Sequence, residues 1–445
     1  MSSLHNAAVA VVLGCLVAPL SAQMSSAARA QGGGTSLQTP PLYAMDGLVQ
    51  GDRLGASIAT LPDLDGDGLA DLLVGAPNRQ PLDYGTKGHV FVLSGADGFI
   101  LREHEGWNNG DRLGHAVALL PDLDGDGVPD YGAGAVWAEN VANPHGPPSP
   151  GVAAAWSGAT GAPLLTMVGA GKWECFGAAL GALGDVDGDG VGDLLVTARF
   201  GGAPDGDATV APGHVRFISG ATGEILAQVV GDGPGDQLGW TSIALPDLNG
   251  DGLRDVAAAA WAWPSNQAIG QVLVLSGADG STLGHFEGSA PGESFGYALA
   301  ELPDLDGDGK AELAIGAPGD ISLKGHVAIV SPATGETLFE MDGTVMGDRY
   351  GMALAAVGDR DGDGVTELAV GAPWWNSRTG RVLVVSPVTG KSLWNLQGHA
   401  AGDHFGEALQ AVPDLTGDGL DELAVGAPLA PAGAAFGRLS VTSLP

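Results

Sequence analysis

The chain has 445 residues, and its 52 acidic against 18 basic residues give a formal charge of −34. That excess excludes nucleic acid and anionic membrane surfaces as partners, since both would be repelled. With 44% hydrophobic residues, 75 glycines and 28 prolines, a disordered acidic tail is excluded too, and a turn-rich fold with a real core is indicated.

The first element reads as an export signal. Residues 6–20, NAAVAVVLGCLVAPL, form an apolar run followed by small residues and Ala28-Arg29-Ala30. Residues 1–30 are therefore expected to be a signal peptide and 31–40 a short linker. Cleavage after Ala22 is one alternative. Lipidation of Cys15, which closes Val12-Leu13-Gly14-Cys15, is the other. Each route predicts a secreted or cell-surface protein. Signal removal leaves Cys175 without a disulfide partner, and a buried small hydrophobe is its expected role. No segment after residue 30 approaches the length of a membrane-spanning helix.

From residue 41 onward one unit recurs seven times. In the first copy GDRLG (51–55) leads into a short apolar stretch, then the acidic loop LPDLDGDGLAD (61–71) and the apolar run DLLVGAP (71–77). An alternating segment GHVFVLSG (88–95), a turn SGADG (94–98) and FILREHEG (99–106) complete it. These runs are short, β-branched and bounded by Gly and Pro, so they read as strands. The opening signature returns as GDRLG, WECFG, GDQLG, GESFG, GDRYG and GDHFG. The first acid of each acidic loop falls at 63, 122, 185, 247, 304, 359 and 414, a period of 55 to 63 residues. Four strands in each of seven units predict an all-β, seven-bladed β-propeller over residues 41–445. LYAMDG (42–47) matches the fourth-strand segments LFEMDG and LWNLQG, while GRLSVTSLP matches a third strand. The amino-terminal strand should therefore complete the last blade, close the ring and remove an exposed sheet edge.

Each acidic loop places side-chain oxygens at positions 1, 3, 5 and 9, a glycine at 6 and a backbone carbonyl at 7. In the first loop these are Asp63, Asp65, Asp67 and Asp71 with the Leu69 carbonyl. Asp122, Asp124, Asp126, Val128 and Asp130 follow, then Asp185, Asp187, Asp189, Val191 and Asp193. The fourth loop offers Asp247, Asn249, Asp251, Leu253 and Asp255, and the fifth Asp304, Asp306, Asp308, Lys310 and Glu312. The sixth has Asp359, Asp361, Asp363, Val365 and Glu367, and the seventh Asp414, Thr416, Asp418, Leu420 and Glu422. Like charges this close repel unless a cation sits among them. Hard oxygen donors at this density suit Ca²⁺, whereas soft metals want the Cys and His that the loops lack. An EF-hand would carry Glu at position 12, where the first loop has Val74. Up to seven Ca²⁺ are expected, with weaker binding in the fourth and seventh loops, where Asn249 and Thr416 replace an acid.

Phe295-Gly296 and Gly316-Ala317-Pro318 flank the fifth loop. This combination resembles the FG-GAP repeats of the integrin alpha-chain propeller and related secreted proteins, over essentially all of residues 41–445. The resemblance implies that the calcium loops join the first and second strands on the lower face. It also implies that ligands are held on the opposite, upper face. The likeness is to the module and does not make the chain an integrin.

The expected function is a non-catalytic, calcium-stabilised binding or adhesion module, monomeric, with an extracellular protein or glycan ligand. An extracellular propeller enzyme (a lyase, hydrolase or quinoprotein) is the alternative, and a purely structural surface protein the third reading, because fold alone does not fix function. Gly292-Glu293-Ser294-Phe295-Gly296 matches a nucleophile elbow by letter, yet it occupies the repeat signature, with no strand-to-helix turn after it. His89, His214 and His326 recur in G-H-V at the start of third strands, which argues for structure. VVSPVTGKSLWNLQG (384–398) faintly resembles quinoprotein propeller repeats, but it is a single copy. Gly-Ala-Pro is broken to GAV, TAR and AAW in units two to four, and two of these carry the longest second-to-third connections, 136–150 and 199–212. Trp137, Phe200, Trp261, Trp263, Trp374 and Trp375 lie in that loop class. They are the candidate ligand patch, centred on blades two to four; the competing reading is that these rings pack under their own loops.

Overall fold

The computed structural model describes residues 40–78, 87–138, 150–202, 211–262, 269–320, 322–431 and 435–444. Among them lie 28 strands, arranged as seven four-stranded antiparallel sheets. Blade one consists of Ser57–Leu61, Asp71–Ala76, His89–Leu93 and Ile100–Glu105, in that order from one edge to the other. Blades two to six repeat the plan. In blade seven the first three strands are Ala408–Val412, Glu422–Ala427 and Arg438–Thr442, and the fourth is the amino-terminal Tyr43–Asp46. Met45 stands opposite Leu439, and Asp46 opposite Arg438. The single helical turn among the described residues is Trp375–Arg378.

Burial explains the apolar runs. Every second strand is wholly buried, as in Asp71–Ala76 and Glu312–Ala317, because both faces of each blade are covered by neighbouring blades. A strand covered on two sides needs no polar alternation. Fourth strands are half exposed and alternate, as Ile100–Glu105 does. The core is thus interblade: Leu72, Val74 and Phe91 of blade one pack with Val412, Ala424 and Leu439 of blade seven.

Two glycines set the spacing between blades. A Cβ on Gly75, in Gly-Ala-Pro of blade one, would overlap the carbonyl oxygen of Gly114, in the signature of blade two. The same overlap meets Gly134 against Gly177, Gly316 against Gly351, Gly371 against Gly406, and Gly426 against Gly55. The two signature pieces are halves of one contact. In blade three Thr197 takes the glycine's place, and its hydroxyl donates to the Gly239 carbonyl at 2.8 Å.

Candidate metal centre and upper face

All seven acidic loops connect a first strand to a second. In the first loop Asp63 accepts N–H bonds from Gly66 and Gly68 at 2.6 and 2.8 Å, and Asp65 accepts from Asp67 at 3.1 Å. Gly66 and Gly68 have φ of +85° and +90°, where a side chain would be strained. The position-7 N–H donates to the position-5 carboxylate in every copy: Leu69, Val128, Val191, Leu253, Lys310, Val365 and Leu420, at 2.7 to 2.9 Å. Backbone N–H donors of the loop glycines hold Asp63, Asp122, Asp247, Asp304 and Asp414 below the usual carboxylate range.

Position 9 behaves differently. Asp71, Asp130, Asp193, Asp255, Glu312, Glu367 and Glu422 open the second strands or directly precede them, and are fully buried. In the Asp blades both carboxylate oxygens are satisfied within the blade. Asp71 accepts from Leu64 at 2.8 Å and from Gly95, in the turn after the third strand, at 3.1 Å. Gly158, Gly220 and Gly277 serve Asp130, Asp193 and Asp255 in the same way. In the Glu blades one oxygen accepts from Leu305, Arg360 or Leu415. The Oε1 atoms of Glu312, Glu367 and Glu422 are buried with no hydrogen-bond partner. Burial pushes Glu312 up to about 7 and Asp71 up to about 6, with the neighbouring loop aspartates adding to both.

These orphaned oxygens fit a hard cation. Asp304, Asp306, Asp308 and Glu312 each place one carboxylate oxygen within 4.8 Å of the others, as do Asp359, Asp361, Asp363 and Glu367. Blades one, two and three bring together positions 1, 3 and 9, such as Asp63, Asp65 and Asp71. A buried, unpaired carboxylate oxygen beside three more carboxylates is costly unless a positive charge joins it. In the fourth loop the Asn249 amide donates to Asp251 at 2.9 Å and to Ser276 at 3.3 Å, turning one ligand oxygen to internal use. Lys310 reaches across to the Asp247 carbonyl at 2.9 Å, tying the fifth loop to the fourth.

A second ring of seven acids was not singled out from sequence. Asp52, Asp111, Glu174, Asp236, Glu293, Asp348 and Asp403 are the second residues of the signature. Six of them accept the N–H three residues back, as Asp52 does from Val49 at 2.6 Å and Glu174 from Gly171 at 2.7 Å. The following residue is left-handed in all seven: Arg53, Arg112, Cys175, Gln237, Ser294, Arg349 and His404, with φ from +55° to +64°. Ser294 therefore holds a repeat position and runs into the strand Ala298–Leu302, so it is no nucleophile elbow. Cys175 is buried, and burial pushes its thiol up. His89, His214 and His326 open third strands, as expected.

The aromatic residues lie at the end of the blades opposite the acidic loops. Trp137 is 41% exposed, and the Arg112 guanidinium lies 3.2 Å from its ring centroid. Phe200 packs against Val136, Cys175 and Ala178. The Arg199 guanidinium lies between Phe200 and Trp240, at 5.4 and 4.5 Å. Trp240 in turn meets Trp261 and Tyr297 at 4.8 and 5.8 Å, and Trp261 donates to Gln237 at 3.0 Å. Trp374 lies between Arg349 and Arg378, and Trp375 against Arg381. Trp263 and most of the two long connections fall outside the described residues. Arg112, Arg199, Trp240 and Tyr297 were missed from sequence. Trp240 and Tyr297 share one register, directly after the signature glycine, and that was the available signal.

Comparison with known proteins places these observations. The FG-GAP repeat family matches residues 54–93, 295–330, 350–385 and 405–441, in the four blades with intact Gly-Ala-Pro. Integrin alpha-V of Gallus gallus is 28% identical over 208 residues, 42% of this chain and 20% of that protein. Integrin alpha-M of Mus musculus is 33% identical over 183 residues, 37% of this chain and 16% of that protein. The chain thus spans a fifth or less of these relatives. A chain in the crystal structure of BBS1N in complex with ARL6DN, soaked with lead, has a TM-score of 0.55 at 12% identity, covering 92% of this chain and 98% of that one. This last likeness concerns the fold alone.

Proposed function

The chain is an integrin-like FG-GAP β-propeller, and from that premise we propose that it is a secreted, calcium-stabilised, non-catalytic module that binds an extracellular protein or glycan. Residues 1–30 are read as the export signal, 31–40 as a linker and 41–445 as the binding module. No helix among the described residues is long and apolar enough to cross a membrane. The observation that carries the calcium reading is the set of buried, unpartnered Oε1 atoms on Glu312, Glu367 and Glu422. Each lies in a loop of oxygen donors of the kind Ca²⁺ takes, six to eight at a time.

The ligand face is proposed at the opposite end, on the row from Trp137 through Phe200 to Trp261, with Trp263, Trp374 and Trp375 as further members. Exposed Trp137 under a guanidinium is the support, since a large ring left in water is unusual without a partner. The test is a glycan and extracellular-protein screen of the mature chain, run with calcium and with chelator. Trp137→Ala is expected to abolish binding to whatever the screen finds, and to leave calcium-dependent melting intact. A ligand footprint on the acidic-loop face would overturn the placement.

A further inference from the structure

Blades three and five alone have glutamate at the second signature position, each followed two residues on by phenylalanine: Glu174 and Phe176, Glu293 and Phe295. In blade three the glutamate has an internal cation. Arg216, the third residue of the strand His214–Ile218, places Nη2 2.5 Å from Glu174 Oε1 and donates from Nε to Gln228 at 2.8 Å. Its guanidinium lies 5.5 Å from the Phe176 ring centroid, and Nη2 is 3.3 Å from His214 Nδ1.

Blade five keeps the glutamate, histidine and phenylalanine around that arginine, has a glutamate where Gln228 stands, and lacks the arginine itself. Ala328 is the third residue of the strand His326–Ser331. Strand register settles the rest: Arg216 faces Gln228, and Ala328 faces Glu340. His326 stands for His214, and Phe295 for Phe176. Glu293 Oε2 accepts N–H bonds from Ser289 and Ala290 at 2.6 and 3.0 Å, as Glu174 Oε2 accepts from Gly171. Glu293 Oε1, the counterpart of the atom that meets Arg216, has no donor among the described residues.

A cavity of about 730 Å³ opens at this place, lined by Glu293, Phe295, His326, Ala328 and Glu340 among others. Its carboxylates, which include Glu287 and Asp342, outnumber its one lysine, Lys324. Blade two also has a small residue here, Ala154, but Trp156 stacked on His104 at 4.4 Å leaves only about 230 Å³. Blade five has Val330 in place of Trp156.

We infer that the cleft at blade five is a receptor for a guanidinium group: an arginine side chain on a partner protein segment occupies the place that Arg216 fills in blade three. Glu293 Oε1 and Glu340 offer the planar fork two carboxylate acceptors, and Phe295 offers its ring. The volume suits an arginine with its flanking backbone. This cleft is separate from the tryptophan row, and its test is independent of that reading.

The test is calorimetric titration of the mature chain, in calcium, with acetyl-Gly-Gly-Arg-Gly-Gly-amide and its lysine and citrulline counterparts. Saturable binding is expected for arginine, about tenfold weaker binding for lysine, and none for the neutral citrulline. Glu293→Gln and Glu340→Gln should each weaken the arginine peptide about tenfold or more. Ala328→Arg, which rebuilds the blade-three pair, should abolish binding and leave the melting curve in calcium at or above that of the unsubstituted protein. Should Ala328→Arg fail to fold, Glu340→Gln, at a solvent-exposed position, decides. Equal affinity for arginine and citrulline, no saturable heat, or undiminished binding by Glu340→Gln would overturn the assignment.

Discussion

Glu312 and Glu367 sit in blades where the turn after the third strand reads Ser331-Pro332 and Ser386-Pro387, while the Asp blades read Ser-Gly. Proline has no N–H to give, so the donor that Gly95 supplies to Asp71 is gone, and the longer acid is left with a buried free oxygen. The pH dependence follows from this. In the cation-free fold, burial lifts Glu312 from 4.5 to about 7 and Asp71 from 3.8 to about 6. The fold then holds these protons more tightly than the unfolded chain does. Their contribution is fully present below pH 4 and is lost as pH rises towards 7. The loop aspartates held low, such as Asp63, act in the opposite sense, but only below their usual range. In EDTA, scanning calorimetry should therefore find a higher melting temperature at pH 5.5 than at pH 7.5. On the proposed calcium reading, millimolar calcium needs the deprotonated loops and should raise melting most at pH 7.5. Equal EDTA curves at the two pH values would remove the buried acids from the account. The loops should also rank. Asp304→Ala leaves three carboxylates in its loop and Asp414→Ala leaves two, so calcium titration should show the seventh site lost first. Four acids within nine residues made these ligands legible in the sequence. The signature acids, Asp52 and its counterparts, were not, because one acid between a glycine and a variable residue looks like any turn.

Gly371 and Gly406 belong to different blades, and their backbones meet with no room left for a side chain on Gly371. A Cβ on Gly371 would overlap the Gly406 carbonyl oxygen, which is backbone and cannot rotate away. Gly371→Ala should therefore cost about 1–3 kcal/mol, the usual penalty of overpacking a tight contact, read as a lower midpoint in urea with an unchanged slope. Thr197 makes the converse case. Its hydroxyl donates to Gly239 and accepts from the Ala179 N–H at 2.9 Å, so Thr197→Gly should cost about 1 kcal/mol through lost hydrogen bonds. The strands themselves were legible from apolar runs punctuated by Gly and Pro. That the two signature pieces touch across a blade boundary was not, because their contact is between the end of one unit's second strand and the next unit's start. The cleft at blade five was hidden for a related reason. Ala328 looks ordinary until strand register places it opposite Glu340, where Arg216 of blade three stands opposite Gln228.

The molecule is divided by chemistry along the blades: acidic loops at one end, arginines stacked on tryptophans at the other. Such a division keeps the proposed cation sites away from the proposed ligand row, so each can be perturbed alone. At millimolar calcium and the affinities typical of extracellular modules, each proposed site would add roughly 1 kcal/mol, and seven would add on the order of 5–10 kcal/mol. That is comparable with the whole stability of a domain, yet the ring also needs its last strand. Tyr43–Asp46 is the fourth strand of blade seven, zipped along Arg438–Thr442, with Arg438 bridging Asp46 at 2.6 and 2.9 Å. Tyr43 is buried there with Leu72, Val74 and Val441. A variant lacking residues 42–47 would leave Arg438–Thr442 as an open edge with unpaired backbone groups, a template for pairing with another chain. Calcium would not repair this, because the acidic loop of blade seven joins its first two strands and pairs with no backbone group on the open edge of Arg438–Thr442. The variant should therefore form dimers or larger species by size-exclusion chromatography in saturating calcium, and adding a peptide of sequence LYAMDG should return it towards monomer. A truncated chain that stays monomeric, with an unchanged melting curve, would show that the closing strand is dispensable.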